Sequence, residues 1–298
     1  MWREPKLMAV PVEGGELTVG RWGHGDRVVV ASHGITANHR SFGEVAAQVL
    51  ARDPDASLYA VDHRGRAGSV DLPGPYGLDA HARDLVAVID HLDAAEVVLV
   101  GHSMGAFAAA GAAAWAGDRV RRLVLVDGAL PIEVQLPPDA EVEQVVRSVI
   151  GPALDRLDRT FTSPQEYVQM WREHPAVGGE HFTDVAEAYV RYELVPVDGA
   201  WRVNVSKDAV LEDGRSTLID EGARTAVERV EVPTVLLWAP RGLLDQEPGL
   251  YPPETVAQVS ARLAHVEPRL VEGVNHYTLV LTEHGAGAVA EAIVGQRS

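Results

Sequence analysis

A single serine, Ser103, stands in Gly101-His102-Ser103-Met104-Gly105, between the apolar run 97–100 and an alanine-rich run that starts at 106. A serine between a strand and a helix has two uses. Its hydroxyl can cap the free N–H groups of the helix, or a strained turn can hold it off the sheet as a nucleophile. The spacing G-x-S-x-G, with a strand before it and a helix after it, favours the nucleophile. The Met104 N–H then faces the same space from the helix N-terminus and supplies half of an oxyanion hole. His33-Gly34, just past the run 28–31, offers the other half: the glycine lets the backbone turn in close, and the Ile35 N–H is the expected second donor.

These residues need rigid elements to position them. Short β-branched runs at 27–34, 57–65, 97–100, 121–127 and 233–239 alternate with helical patterns at 42–51, 78–93, after 103, near 253–263 and at 282–295. Such alternation specifies an α/β fold, a mainly parallel sheet with helices on both faces. Runs 7–12 and 17–22 around Glu13-Gly14-Gly15-Glu16 read as a hairpin that adds an antiparallel edge. Asp79 is the expected N-cap of the 78–93 helix.

From 129 to 230 the rhythm changes. No strong strand run occurs there, and helical patterns fall at 140–157, 164–173, 183–194 and 219–229. Aromatic residues cluster in the same stretch: Phe161, Tyr167, Trp171, Phe182, Tyr189, Tyr192 and Trp201. The expected organisation is a core of residues 1–128 and 231–298, interrupted by a helical lid at 129–230.

The 298 residues suit one large α/β domain, and the absence of cysteine removes disulfides, thiolate metal sites and a cysteine nucleophile. A net charge of −17 argues against nucleic acid as a partner. The start, Met1-Trp2-Arg3, leads into no apolar run, and no stretch approaches the length of a membrane span. A cytoplasmic location, no membrane partner and a small-molecule substrate are therefore expected. No H-E-x-x-H motif and no phosphate loop is found, so neither metal nor cofactor is expected.

Four stretches, HGITANHRSF, VDHRGRAGS, GHSMGAFAA and GVNHYTL, carry a resemblance to the α/β-hydrolase fold superfamily over 20–128 and 230–296. The resemblance implies a serine hydrolase with a Ser-His-acid triad in the chain order Ser, acid, His. Of twelve histidines, His276 lies on the loop after the last strand, where the family keeps its base. His102 is expected to point away from the nucleophile, and His33 to fix the backbone. His39, His63 and His81 are read as surface or loop-bracing residues.

The acid has two candidates. The family's usual position, four residues past Trp238, holds Gly242 here, and Asp245 comes three residues later on a long loop. Asp127, at the end of the 121–127 run, occupies the position that some family members use instead. Asp245 is the first choice and Asp127 the alternative. Arg64 and Arg66 read as loop-bracing, with a substrate carboxylate as the lesser use. Gly34, Tyr277 and Trp171 are expected to touch the substrate. The expected reaction is hydrolysis of a carboxylic ester or lactone of a small to medium apolar substrate through an acyl-enzyme. Hydrolysis of another acyl bond, or a weakly active ligand sensor on the same fold, stands as the alternative.

Overall fold

The computed structural model describes residues 4–132 and 140–295. Met1, Trp2 and Arg3, on which part of the reading of the N-terminus rests, lie outside these, as does 133–139 within the inserted stretch. Eight strands form one sheet: β1 Lys6–Val12, β2 Gly15–Gly23, β3 Arg27–Ser32, β4 Ala56–Val61, β5 Val97–His102, β6 Val120–Val126, β9 Thr234–Trp238 and β10 Val266–Leu270. Their spatial order is β1-β2-β4-β3-β5-β6-β9-β10. The hairpin β1–β2 turns at Glu13-Gly14 and pairs antiparallel with β4, whereas the remaining pairs are parallel.

The central strands are continuous apolar runs because both faces are covered. Every residue of β4, β5 and β9 is buried. Helices α1 Gly43–Arg52 and α11 Glu283–Val294 pack on one face, and α2 Leu78–His91, α3 Met104–Ala116 and α9 Pro253–Arg262 on the other. The alanine run of α3 is buried nearly all round, so its small side chains allow sheet and helix to approach closely.

Helix α2 begins differently from expectation. Gly77, at φ 100°, is its N-cap, and Asp79 sits inside the first turn, where its charge favours the helix N-terminus. The helix needs no cap from Asp79, because the Leu78 N–H donates to Ser216 Oγ at 3.1 Å.

Ser216 belongs to the segment between β6 and β9. This segment holds α4 Val142–Leu157, α5 Pro164–Arg172, α6 Asp184–Tyr192, α7 Lys207–Leu218 and the short α8 Glu221–Arg224. Ser163, Thr183 and Ser206 cap α5, α6 and α7 through their hydroxyls. Two expectations need correction here. Strands β7 Leu194–Val197 and β8 Ala200–Val203 form a hairpin, closed by Asp198 and Gly199 at φ 51° and 80°. That two-residue Asp-Gly turn matches the twist of paired strands. The helix expected at 219–229 is only the short α8 and a 3-10 turn at Ala226–Arg229, and α7 at 207–218, started by Ser206, was not expected. Helix α4 is kinked: Ile150 leaves helical geometry (φ −124°, ψ 29°) two residues before Pro152. Among the described residues no helix is long and apolar enough to cross a membrane.

Candidate active site

Ser103 adopts φ 57°, ψ −125°, a conformation that costs a side-chain-bearing residue of order 1–3 kcal/mol. It occupies the N-cap place of α3, yet its hydroxyl makes no capping hydrogen bond. Close packing enforces the turn. A Cβ on Gly101 would lie 2.2 Å from the Gly105 carbonyl oxygen, and one on Gly105 would lie 2.1 Å from that of Ser32. Met104, the first residue of α3, presents its N–H beside Ser103.

The Ile35 N–H is oriented by its neighbours. The Gly34 carbonyl accepts from His33 Nδ1 at 2.7 Å and from the Ala37 N–H at 3.0 Å. A trans peptide then sends the Ile35 N–H the opposite way. Gly34 lies against the serine, since a Cβ there would be 3.2 Å from Ser103 Cβ. His33 also accepts from the His63 N–H at Nε2, so Nδ1 carries its proton. Burial brings the His33 pKa down to about 3, which keeps the ring neutral in this role.

His276 Nδ1 lies 2.7 Å from Asp127 Oδ2, with both side chains buried. Asp127 follows β6 at φ 45°, donates its N–H to the Leu237 carbonyl at 2.7 Å, and receives the Ala239 N–H on Oδ1 at 3.3 Å. The His276 backbone is clamped twice: its N–H donates to Arg241 O at 3.1 Å, and its carbonyl accepts from His102 Nε2 at 2.9 Å. His102 therefore points away from the serine and braces the histidine loop. Burial, reinforced by the neighbouring His276, lowers its pKa well below the ordinary imidazole value.

Asp245, the first-choice acid, does not meet the imidazole. Its carboxylate accepts from Asn275 Nδ2 at 2.9 Å and pairs with Arg241 Nη2 at 3.2 Å, about a third exposed. The loop after β9 carries it outward, so it braces the residue before His276. Asp127 reaches the ring because β6 lies beside β9 in the sheet. His39, His63 and His81 are all buried bracing groups. Arg64 bonds Asp84 at 2.8 and 2.6 Å, and Arg66 bonds the Ile35 carbonyl, so both serve the loops.

Two chambers of about 40 Å³ each flank Ser103 and His276. The first is apolar, with Phe107, Ile132, Val146, Val149 and Leu218 among its walls. The second runs past Gly34, Ala37, Tyr189, Tyr277 and Val280. A larger vestibule of about 440 Å³ lies beyond, bordered by Arg147, Arg159, His174 and Gln246. Ile150 and Leu243 border all three spaces. Sequence reasoning missed both, although Gly151-Pro152 marks the kink that places Ile150. Tyr277 lines the second chamber and the vestibule. Trp171 borders only the vestibule and otherwise packs in the inserted segment, with Arg156 5.3 Å from its ring. Phe161 and Tyr167 are core residues.

A sheet with this order and a serine in this turn defines an α/β hydrolase. The profile of the alpha/beta hydrolase family matches residues 28–292, and the chain belongs to that family. Over 159 residues it is 29% identical to Lipase LipV of Mycobacterium tuberculosis, covering 53% of this chain and 57% of that protein. Over 185 residues it is 28% identical to Esterase YbfF of Escherichia coli, covering 61% and 64%. The chain thus spans less than two thirds of the length of these relatives. The solved structure of E-2-(acetamidomethylene)succinate hydrolase is similar in fold, with a TM-score of 0.75 over 97% of this chain and 99% of that one at 22% identity.

Proposed function

We propose that the protein is a serine hydrolase that cleaves carboxylic esters or lactones with a small apolar acyl part. The observation that carries this reading is the buried His276–Asp127 pair beside a serine held in a strained turn. In the reaction, His276 Nε2 takes the Ser103 proton as Oγ attacks the acyl carbon. The oxyanion that forms is held by the N–H groups of Ile35 and Met104. Asp127 keeps the Nδ1 proton in place and stabilises the imidazolium. His276 returns the proton to the departing alkoxide, leaving Ser103 acylated. A water, deprotonated by the same imidazole, then attacks the acyl-enzyme and releases the acid and the free serine.

The first chamber suits the acyl part. Its volume of about 40 Å³ compares with about 10–15 Å³ for one water, which favours acyl groups of a few carbons. The leaving group extends through the second chamber toward the vestibule. The described residues of 129–230 act as a lid over both. The same groups serve a thioester, amide or C–C acyl bond, and the likeness to an acetamidomethylene-succinate hydrolase keeps those bonds in the assay. Gly242 no longer favours a non-catalytic sensor, because Asp127 supplies the carboxylate.

The test pairs a fluorophosphonate probe with a panel of p-nitrophenyl esters, lactones, thioesters and amides. Labelling at Ser103, abolished in Ser103→Ala, and turnover of short esters are expected. A folded protein that neither labels nor hydrolyses any of them would refute the reading.

A further inference from the structure

Arg66 has no exposed surface, and its guanidinium does not face the substrate chambers. Nε and Nη2 both donate to the Ile35 carbonyl, at 2.9 and 2.8 Å, and Nη1 donates to the Arg64 carbonyl at 3.0 Å. Nη2 also lies 2.6 Å from Asp213 Oδ2. Asp213 is on α7, in the inserted segment, and the groups it meets are in the core: its Oδ1 accepts the Gly77 N–H at 2.6 Å, and Oδ2 lies 2.9 Å from His81 Nε2. Hydrogen bonds tie the approach to α7 to both neighbours of Arg66: Ala67 N to Asn204 O at 2.8 Å, and Ser206 N to Gly65 O at 2.8 Å.

The two peptides around Ile35 are therefore pinned from opposite sides. His33 and Ala37 hold the Gly34 carbonyl, and Arg66 holds the Ile35 carbonyl with two donors. The Ile35 N–H lies in the first of these planes; holding the second fixes the Ile35 backbone dihedrals and keeps the first from rotating with its neighbour. An arginine buried to this degree needs a counter-charge, because an unpaired buried cation is strongly unfavourable. Among the described residues that touch the guanidinium, the counter-charge comes from the inserted segment alone. Burial works to raise the Asp213 pKa, but the Arg66 charge and His81 overcome it and hold it at about 2, so the carboxylate is ionised at neutral pH.

We propose that Asp213 and Arg66 are a positioning couple, through which α7 of the inserted segment holds the Ile35 N–H in its oxyanion-binding direction. This rests on the serine-hydrolase reading above and adds a condition to it: the oxyanion hole is complete only while α7 is seated on the core. Neither residue touches the substrate. Displacing α7 removes the counter-charge and releases the guanidinium from Ile35, so the Ile35 N–H is held from one side only, through the Gly34 carbonyl.

The test uses the full chain, with a p-nitrophenyl butyrate assay and a trifluoromethyl ketone that adds to Ser103 and places its oxygen in the same hole. Arg66→Gln is expected to lower kcat by about a hundredfold, the scale of losing one oxyanion donor, and Asp213→Asn by about tenfold. KM should stay within about twofold, and the ketone affinity should fall in step with kcat/KM. Arg64→Gln breaks the equally buried pair with Asp84 on the same loop but leaves Ile35 held, so it should lower Tm and spare kcat. Should Arg66→Gln not fold, Arg66→Lys keeps the charge opposite Asp213 with poorer geometry toward Ile35 and should show the same kcat-selective loss. Wild-type kcat and ketone affinity in a folded Arg66 variant would overturn the proposal, as would an equal kcat loss in Arg64→Gln. A wild-type protein that binds no ketone and turns over no ester would remove the hydrolase reading and this proposal with it.

Discussion

Replacing Asp127 by asparagine should separate the two candidate acids. The substitution preserves shape, and the surroundings decide which way the amide lies. The Ala239 N–H points at the present Oδ1, and only the amide oxygen can accept it. The NH2 group must then face His276 Nδ1, where Asp127 Oδ2 now sits at 2.7 Å. An NH2 donor there forces Nδ1 to accept, so the imidazole proton moves to Nε2. The nitrogen that should take the Ser103 proton is then already protonated. Loss of the correct tautomer and of the carboxylate that stabilises the imidazolium is worth about 10⁴ in kcat, or about 5 kcal/mol.

Asp245→Asn differs. Its carboxylate is about a third exposed and meets Asn275 and Arg241, and an amide oxygen can still accept from Asn275. A loss below about 1 kcal/mol, under about fivefold in kcat, is expected. Short-ester kinetics on both variants, with far-UV circular dichroism to confirm folding, gives the comparison. A loss above a hundredfold in Asp245→Asn, beside near-normal Asp127→Asn, would refute the assignment made from the distances.

Two further outcomes follow from the cavity walls and from the buried imidazoles. Ile150→Ala and Leu243→Ala should each widen the passage between chambers and vestibule. They should raise kcat/KM for octanoyl over butyryl p-nitrophenyl ester by about tenfold, the scale of a methylene or two admitted to an apolar site; an unchanged chain-length profile would show that neither residue limits the space. His33, His63 and His102 are held below the usual imidazole pKa by burial, His33 at about 3, so below about pH 6.5 the unfolded chain binds protons that the folded chain refuses. Stability is thus complete above that pH and falls as pH drops, by about 1 kcal/mol per histidine between pH 7 and 5.5, and a Tm flat over this range would contradict it.

The strained turn at Ser103 and the loop of His276 were legible because each is encoded locally. Ser103 lies between an apolar run and an alanine run within a few residues, and the glycines of its turn are required by contacts that the motif implies. The carboxylate that meets His276 was not legible in the same way. Counting along the loop after Trp238 leads to Asp245, whereas the carboxylate on His276 comes from the neighbouring strand, 149 residues away in sequence. Strand adjacency fixes that contact, and spacing within one loop carries no information about it. The β7–β8 hairpin had a readable signal in Asp198-Gly199, but its strands are only four residues each and one contains Pro196, so they fall short of a strand pattern. Helix α7 is polar enough that its cap, Ser206, is its clearest mark.

The buried polar groups of the site share one kind of partner. His33 bonds the Gly34 carbonyl, Arg66 the Ile35 carbonyl and His102 the His276 carbonyl. Asn275 bonds the Ala176 carbonyl and receives the Tyr277 N–H. A core built for stability alone would gain more from apolar side chains, since buried ion pairs and imidazoles roughly offset their own desolvation at best. What these groups supply is direction. Each fixes a peptide plane of the candidate site: the two that flank Ile35 and the one that follows His276. Pre-set dipoles of this kind stabilise developing charge without rearranging during the reaction. The acid sensitivity expected of the fold and the proposed dependence of the oxyanion hole on α7 have the same origin, because the groups that hold these planes must stay buried, and in a fixed state of charge, to hold them.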